Sequence, residues 1–199
     1  MRFDKEVTAY EAVKLENLAD EEFIGFSFTN CDFRGAVFTG AILKNCMFTG
    51  CRFDFAKLND ILCVKTSMVN CTFNGSSLFA AEFRECKGSG SNFAGADLSG
   101  IEISGGNFSY AIFDQCDFKG QKFSKIMFNG ANFTQADLRK AVFSECVLTE
   151  AIFRGADLRD CDLRTCELRG ADLIAAKMKN TSIDIDTAVY LAECLGCSI

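Results

Sequence analysis

Four aspartates recur at every twentieth position of one stretch of the sequence, and together we call them the acid column: Asp97, Asp117, Asp137 and Asp157. Evenly spaced carboxylates could act as general acids and bases, or they could present a line of negative charge to a basic partner. The chain contains no His, which is the commonest general base, and no pair of carboxylates stands out as placed to have a raised pKa. We therefore predict no catalytic residues and no enzymatic activity, and we assign the acid column to partner binding.

The chain also carries twelve cysteines, which are its other potentially reactive side chains. Cys194 and Cys197 form a single CxxC, whereas a structural zinc site needs about four ligands. The chain offers neither a His nor a second CxxC, and it has no P-loop or GxGxxG pattern. We therefore predict no metal and no cofactor.

The composition limits the kinds of partner and compartment that fit this chain. Its 199 residues carry a net charge of −6, with a pI near 4.8. An acidic surface argues against direct nucleic-acid binding, which needs clustered Lys and Arg, and it suits a basic partner. The sequence has no charged-then-apolar leader and no apolar run long enough to span a bilayer, so we expect neither secretion nor a membrane span.

A shorter period of five underlies the spacing of the aspartates. From Phe23 to Ile183 every fifth residue is a central residue of a repeat unit; Phe holds 17 and Leu 10 of these 33 sites. The residue two places earlier is usually small, Ala at 13 sites and Cys at nine, and 13 of the 16 Gly lie two places later. Helices repeat every 3.6 residues and strands every two, so this period predicts a chain that turns a corner in each unit, as in a solenoid.

The repeat units resemble those of a known family. Ala96-Asp97-Leu98-Ser99-Gly100 is similar to the units of the pentapeptide-repeat proteins, and the resemblance covers about residues 21–183. It implies an all-β, right-handed quadrilateral β-helix with four units per coil, and hence about eight coils at a spacing of ~4.8 Å. Every twentieth residue then lies above the last, so the four aspartates form a vertical column.

Nine of the twelve cysteines occupy the small position of the unit, where they alternate with Ala, so the shared property is size. Buried free Cys packs as a small hydrophobe. A disulfide scaffold is the alternative, but in-register stacking gives parallel Cβ vectors that disfavour bonding within the column Cys31, Cys51 and Cys71. Free thiols indicate a reducing compartment, and we expect a cytoplasmic protein.

The two ends of the chain depart from the repeat. We predict an N-terminal cap at residues 1–20, a β-helix at 21–183, and a C-terminal capping and dimerisation helix with its tail at 184–199. Asp184 or Asp186 can begin the helix, and Gly196 can end it. Apolar residues at helical spacing could close the core and join two copies. The predicted cap and homodimer surface comprises Val189, Ala192, Leu195 and Ile199.

Two internal segments keep the register but lose the consensus. Residues 61–68 contain few typical units, and Gly88 replaces a core residue within 87–91. We expect both segments to be loose or bulged. They could be tolerated irregularities or functional protrusions, and the sequence leaves both possibilities open.

The charges near the acid column allow two interpretations. Lys119, Arg139 and Arg159 form a parallel column two residues further along, so the face could be a solvated surface balanced by local pairs. Alternatively, acids at regular spacing could imitate a DNA strand, which carries a phosphate about every 3.4 Å.

An uninterrupted repeat followed by a helix is also similar to the Qnr quinolone-resistance proteins and their mycobacterial relative. The resemblance implies a homodimer joined through its C-terminus that binds DNA gyrase and topoisomerase IV and protects them from fluoroquinolones. Many Qnr proteins carry two loops that matter for protection, but here the register is unbroken, so no loop residue can be assigned. We predict a DNA-mimicking topoisomerase binder; the alternative is a structural scaffold with an unidentified protein partner.

Overall fold

The computed structural model describes the backbone of residues 6–8 and, in full, residues 17–197. Within these ranges the chain forms eleven short strands and one helix. In chain order these are β1 Glu6–Thr8, β2 Glu22–Ile24, β3 Ser27–Thr29, β4 Ile42–Lys44, β5 Met47–Thr49, β6 Leu62–Val64, β7 Ser67–Val69, β8 Glu82–Arg84, β9 Glu102–Ser104, β10 Lys122–Ser124, β11 Val142–Ser144 and α1 Ile185–Cys194.

All paired strands run parallel and stack in order along the chain. One sheet has the order β2-β4-β6-β8-β9-β10-β11, and a second has the order β1-β3-β5-β7. Partner residues lie at equivalent positions of successive coils, as in Phe23 opposite Leu43. Isolated bridges such as Asn132 to Ile152 form the remaining sides. The fold is therefore a four-sided parallel β-helix with a C-terminal helix, as the sequence predicts.

The corners explain the glycine pattern. The residue two places after a central residue has a positive φ at nearly every repeat unit, for example 70° at Gly35; Thr165 and Ala175 are exceptions. Glycine reaches this left-handed region without a steric penalty, and Asn tolerates it, as at Asn30 with a φ of 54°. The chain then turns, and the Ala36 N–H donates to the Phe33 carbonyl at 3.0 Å.

Phenylalanine columns fill the interior. Along one side, seven rings stack in order with centroid separations of 4.6–5.3 Å: Phe33, Phe53, Phe73, Phe93, Phe113, Phe133 and Phe153. All seven are at most 2% exposed. Burying each such side chain contributes roughly 1.5–3 kcal/mol before the loss of entropy, so packing alone accounts for the apolar central positions.

All twelve cysteines are free thiols, and the ten at repeat positions are buried. Six of their sulfurs donate to carbonyls of the preceding coil, as from Cys51 Sγ to the Phe28 oxygen at 3.4 Å. Burial raises the pKa of the Cys116 thiol to about 12, which keeps it protonated and unreactive. The prediction that these cysteines serve as small packing residues is confirmed.

The two segments that we expected to be loose or bulged are regular, so that prediction was wrong. Residues 61–68 form β6 and β7, and the Leu62 N–H pairs with the Ala41 carbonyl at 3.0 Å. Gly88 also keeps its ladder bond, donating to the Asn107 carbonyl at 2.8 Å. The ring of Phe108 occupies the missing volume, because a Cβ at Gly88 would lie 2.5 Å from that ring. A large neighbour in the next coil thus compensates for the glycine.

The ladder is interrupted at a different place, between residues 96–102 and 116–122, which we call the opening. Four inter-coil hydrogen bonds that the equivalent residues form around Ile61 are missing here from the described structure. The corresponding bridge is also missing between Asp97 and Asp117. Ala96 is consequently half-buried, whereas alanines at the other small sites up to residue 171 are at most 6% exposed.

Side-chain volume explains the opening. Ile101 and Gln121 occupy the small position of two successive coils, so two large side chains meet where Ala or Cys usually packs. Ile101 stays buried, whereas Gln121 is only half-buried. Close-packed interiors tolerate little added side-chain volume, so the two coils separate at this position.

Helix α1 closes part of the C-terminal end. Its N-cap is Asp184, whose Oδ1 accepts from the Thr187 N–H at 2.8 Å, while Asp186 lies in the first turn. The helix ends at the C-cap Leu195, and Gly196 follows with a φ of 78°. Of the two capping aspartates that the sequence allowed, the structure selects the first.

The face of α1 that contacts the core differs from the one we predicted. Thr187 is buried and Leu191 packs against the core, while Tyr190 Oη donates to the Ala171 carbonyl at 3.1 Å. Val189 and Leu195 instead point outward, 37% and 68% exposed. Of the remaining predicted cap residues, Ala192 is half-buried and Ile199 lies outside the described residues.

At the other end, pairing begins before the expected start of the repeat. The Leu18 N–H donates to the Val37 carbonyl at 2.7 Å. Strand β1 also pairs with β3, with Glu6 opposite Ser27, which is one position off the register of the other strand pairs. The predicted boundary at residue 21 therefore lies inside the hydrogen-bonded ladder. In the part of the chain described, no helix is long and apolar enough to cross a membrane.

Candidate functional site

The structure stacks the acid column but interrupts it between Asp97 and Asp117. Asp117, Asp137 and Asp157 occupy bridged positions in successive coils, and Asp97 is bridged to Ser77 below it. The opening lies between Asp97 and Asp117. The column is therefore continuous only above it, although the register of the coils places all four aspartates on one side of the solenoid.

The upper two aspartates form ion pairs. The Arg159 guanidinium binds the Asp157 carboxylate through two contacts, Nε to Oδ1 at 2.8 Å and Nη2 to Oδ2 at 2.6 Å. Arg139 binds Asp137 in the same way and lies 4.0 Å from Asp157. Hydrogen bonds from Arg159 hold the pKa of Asp157 at about 2, and Arg139 lowers the pKa of Asp137. Both carboxylates are ionised but locally balanced.

The lower two aspartates, Asp97 and Asp117, form no ion pair among the described residues. Asp97 and Asp117 are exposed, and their Oδ1 atoms accept from the backbone N–H groups of Ser99 at 3.1 Å and Lys119 at 2.9 Å. The predicted column of basic residues thus neutralises Asp137 and Asp157, while the Lys119 ammonium forms no such pair with Asp117.

A further free carboxylate lies on the adjacent side of the opening. Glu102 is exposed and has no ion pair among the described residues, whereas Glu82 beneath it pairs with Arg84. A cleft of about 380 Å³ begins here, lined by Glu102, Ile103, Ser104, Gly120, Gln121, Lys122 and Ser124. Three free acids therefore surround the opening: Asp97, Glu102 and Asp117.

A second concave surface lies at the C-terminal end. A cleft of about 670 Å³ separates residues 165–169 of the last coil from the start of α1. Its wall mixes Glu167, Arg169, Asp184 and Asp186 with the Tyr190 ring. Outside the cleft, Ile185 and Val189 of α1 and its C-cap Leu195 are exposed apolar residues.

The sequence analysis missed the opening. The signal was available: Ile101 and Gln121 occupy the same position of successive coils, and both are too large for the small site. The described residues contain no group of three His, Cys, Asp or Glu side chains that could hold a metal ion.

Comparisons with known proteins agree with this geometry. The structure is similar to full-length QnrB1, a plasmid-mediated fluoroquinolone resistance protein, with 26% identity, 96% of this chain and 99% of that chain covered, and a TM-score of 0.66. Two trypsin-treated forms of QnrB1 give TM-scores of 0.63 at 26% and 27% identity, covering 98% and 92% of this chain and 98% and 93% of theirs. No curated protein sequence matches the chain.

The family comparison covers most of the solenoid. The model of pentapeptide repeats matches eight copies, within residues 22–54, 66–105, 81–120 and 128–164. These segments include Asp97 and Asp117 of the acid column and residues 96–102 below the opening, whereas Gln121 above it lies between two matched segments. The chain belongs to the pentapeptide-repeat family.

Proposed function

We propose that this protein binds a type II topoisomerase, DNA gyrase or topoisomerase IV, and protects it from fluoroquinolones. The observation that carries the proposal is the likeness to QnrB1, which extends over almost the whole length of both chains. QnrB1 is itself a fluoroquinolone resistance protein. A shared fold alone would not suggest an activity, so the proposal also depends on the acidic surface.

The acidic surface fits a partner that normally binds DNA. Stacked coils repeat at ~4.8 Å, comparable to the phosphate spacing of about 3.4 Å along one DNA strand. A basic groove is attracted to free negative charge and less to charge that is already paired. Asp97 and Asp117 should therefore contribute more to binding than Asp137 and Asp157, whose arginines balance them.

The remaining features of the proposal concern assembly and location. The exposed apolar side chains Ile185, Val189 and Leu195 are suited to a twofold contact between two copies at the C-terminal end. Substituting Leu195→Glu should then halve the mass measured by light scattering without unfolding the chain. A topoisomerase partner requires a cytoplasmic protein, and twelve free thiols are consistent with a reducing compartment.

A supercoiling assay tests the function directly. Gyrase is incubated with relaxed plasmid and ciprofloxacin, with and without the protein. We expect the protein to restore supercoiling at drug concentrations that otherwise stop it. If it neither protects nor inhibits gyrase or topoisomerase IV, the topoisomerase proposal is wrong and a scaffold for another protein becomes the better account.

Two matched double variants test the site. Asp97→Asn with Asp117→Asn and Asp137→Asn with Asp157→Asn remove the same formal charge from the same side of the solenoid. We expect the first pair to lose most protection and the second to lose less, with unchanged far-UV circular dichroism in both. Equal losses would show that the free acids have no special role.

A further inference from the structure

The opening divides the solenoid into two stacks of coils, and we propose that it is a hinge at which these stacks tilt relative to each other. Four backbone donors around it have no acceptor in the described structure: the N–H groups of Leu98, Gly100, Asp117 and Lys122. The equivalent donors around Ile61 are all paired, at 2.7–3.0 Å: the N–H groups of Leu58, Asp60, Ser77 and Glu82.

The same two coils remain joined on the other sides, although the Gly95 N–H just before the opening also has no acceptor among the described residues. Before the opening, the Phe93 N–H donates to the Ile112 carbonyl at 2.8 Å, and after it Gly105 donates to Ser124 at 2.9 Å. At the opposite corner, the Tyr110 N–H donates to the Asn129 carbonyl at 2.8 Å. A connection that is open at one corner and closed on the other sides permits rotation about the closed sides, which is the geometry of a hinge.

Local packing keeps the opening from closing. Closure would bring Ile101 and Gln121 into the same small space, whereas Ile61 fits because Ala41 and Ala81 lie on either side of it. The coil below offers no relief, because the Gly106 backbone already approaches that of Cys86 so closely that a Cβ would collide with it. The coil that contains Ile101 is thus held from below and separated from the coil above.

The position of the hinge gives it a consequence for recognition. Asp97 and Glu102 lie on its lower lip and Asp117 on its upper lip, so a tilt changes the separation of the free carboxylates. A solenoid with one adjustable step can fit its charges to a curved basic groove. This role in recognition rests on the proposed function, whereas the hinge itself is a property of the free protein.

Hydrogen exchange of the free protein tests the hinge. We expect the amides of Leu98, Gly100, Asp117 and Lys122 to exchange at least about tenfold faster than the four equivalent amides around Ile61. Gln121→Ala gives Ile101 an alanine in each adjacent coil, as Ile61 has. Exchange of the four amides should then slow to the rate of the equivalent amides around Ile61. Gln135→Asn, at an exposed corner, is the control and should change nothing. Equal exchange in the original protein, or no slowing in Gln121→Ala, would overturn the hinge.

The same variants then test its role in recognition. We expect half-maximal protection of gyrase to require an about tenfold higher concentration of the Gln121→Ala variant than of the original protein. The melting temperature of the variant should be at least as high as that of the original protein. Full protection by a variant whose amides have become slow would overturn this role. If the original protein does not protect any topoisomerase, that failure belongs to the proposed function, and the exchange rates still decide whether the hinge exists.

Discussion

Two corners of this solenoid carry the same unusual residue with opposite results. Ile61 and Ile101 both occupy the small position of the repeat, and both are buried. Around Ile61 the ladder is complete, with the Glu82 N–H donating to the Ile61 carbonyl at 2.8 Å. Around Ile101 the bonds to the coil above are missing from the described structure. The identity of the residue therefore does not decide the outcome; the residue at the same position of the next coil does.

Other irregular positions follow the same rule. Gly88 lacks a side chain, and Phe108 in the next coil fills the space. Gly106 occupies the small position of one coil, and Ile126 occupies the same position of the next coil. The Met127 N–H still donates to the Gly106 carbonyl at 3.1 Å. Each deviation is compensated by one of opposite size in an adjacent coil. The pair Ile101 and Gln121 has no such compensation, and there the coils part.

The largest expected effect comes from opening the intact corner. Ala81→Gln would place a long side chain between Ile61 and Ile101, at a site that is 0% exposed. We expect overpacking to lower the free energy of unfolding by about 1–3 kcal/mol, and by more if the side-chain amide of the introduced Gln stays without a hydrogen-bond partner. Urea unfolding measures the loss, and hydrogen exchange should show newly exposed amides at Leu58 and Glu82.

Ser77→Gln is the control for this change, because residue 77 points to the outer surface of the same coil and is half-buried. Its stability should stay within about 0.5 kcal/mol of the original protein. If Ala81→Gln is equally neutral and its amides remain protected, neighbour volume does not control the ladder.

The fold was predictable from the sequence because a single rule repeats along it. A central residue every five positions specifies an inward column, and the glycines two places later specify the corners. That register also placed the acid column on one side. The repeat pattern could not show how two unusual residues affect each other. Their partner positions lie a full coil apart in the sequence, and the packing depends on the combined volume of the two side chains. Segments 61–68 and 87–91 looked irregular one residue at a time, yet they are compensated.

The charges were predictable only in part. A basic residue two places after three of the four column aspartates indicates a local pair, and this holds for Arg139 and Arg159. It fails for Lys119, which forms no ion pair in the described region. The planar guanidinium can bind a carboxylate through two hydrogen bonds, whereas a flexible ammonium gains less from being held in place. Only the structure separates the free acids from the paired ones.

An intermediate effect should distinguish the two isoleucines. Ile61→Val removes one methyl group from a closely packed site, and we expect a loss of about 0.5–1.5 kcal/mol. Ile101→Val should cost less, because the smaller side chain relieves the crowding against Gln121 and allows the coils to approach. Chemical unfolding measures both, and a larger loss at Ile101 would contradict the assignment of the opening to excess volume.

The smallest expected effect concerns the difference between the paired and the unpaired aspartates of the acid column. The Arg159 guanidinium lowers the pKa of Asp157 to about 2 in the folded protein, below the ordinary Asp value of about 3.9. The pair therefore stabilises the fold above the ordinary value, and this contribution is lost as the pH falls towards 2. Arg159→Gln should reduce the melting temperature slightly at pH 7, by less than Ile61→Val does, and the difference should shrink on acidification. Lys119→Gln, which breaks no ion pair, should leave the melting temperature unchanged at both pH values. Equal effects of the two substitutions would mean that the lower and upper carboxylates are balanced alike, and that the free charge at the opening does not set it apart from the rest of the column.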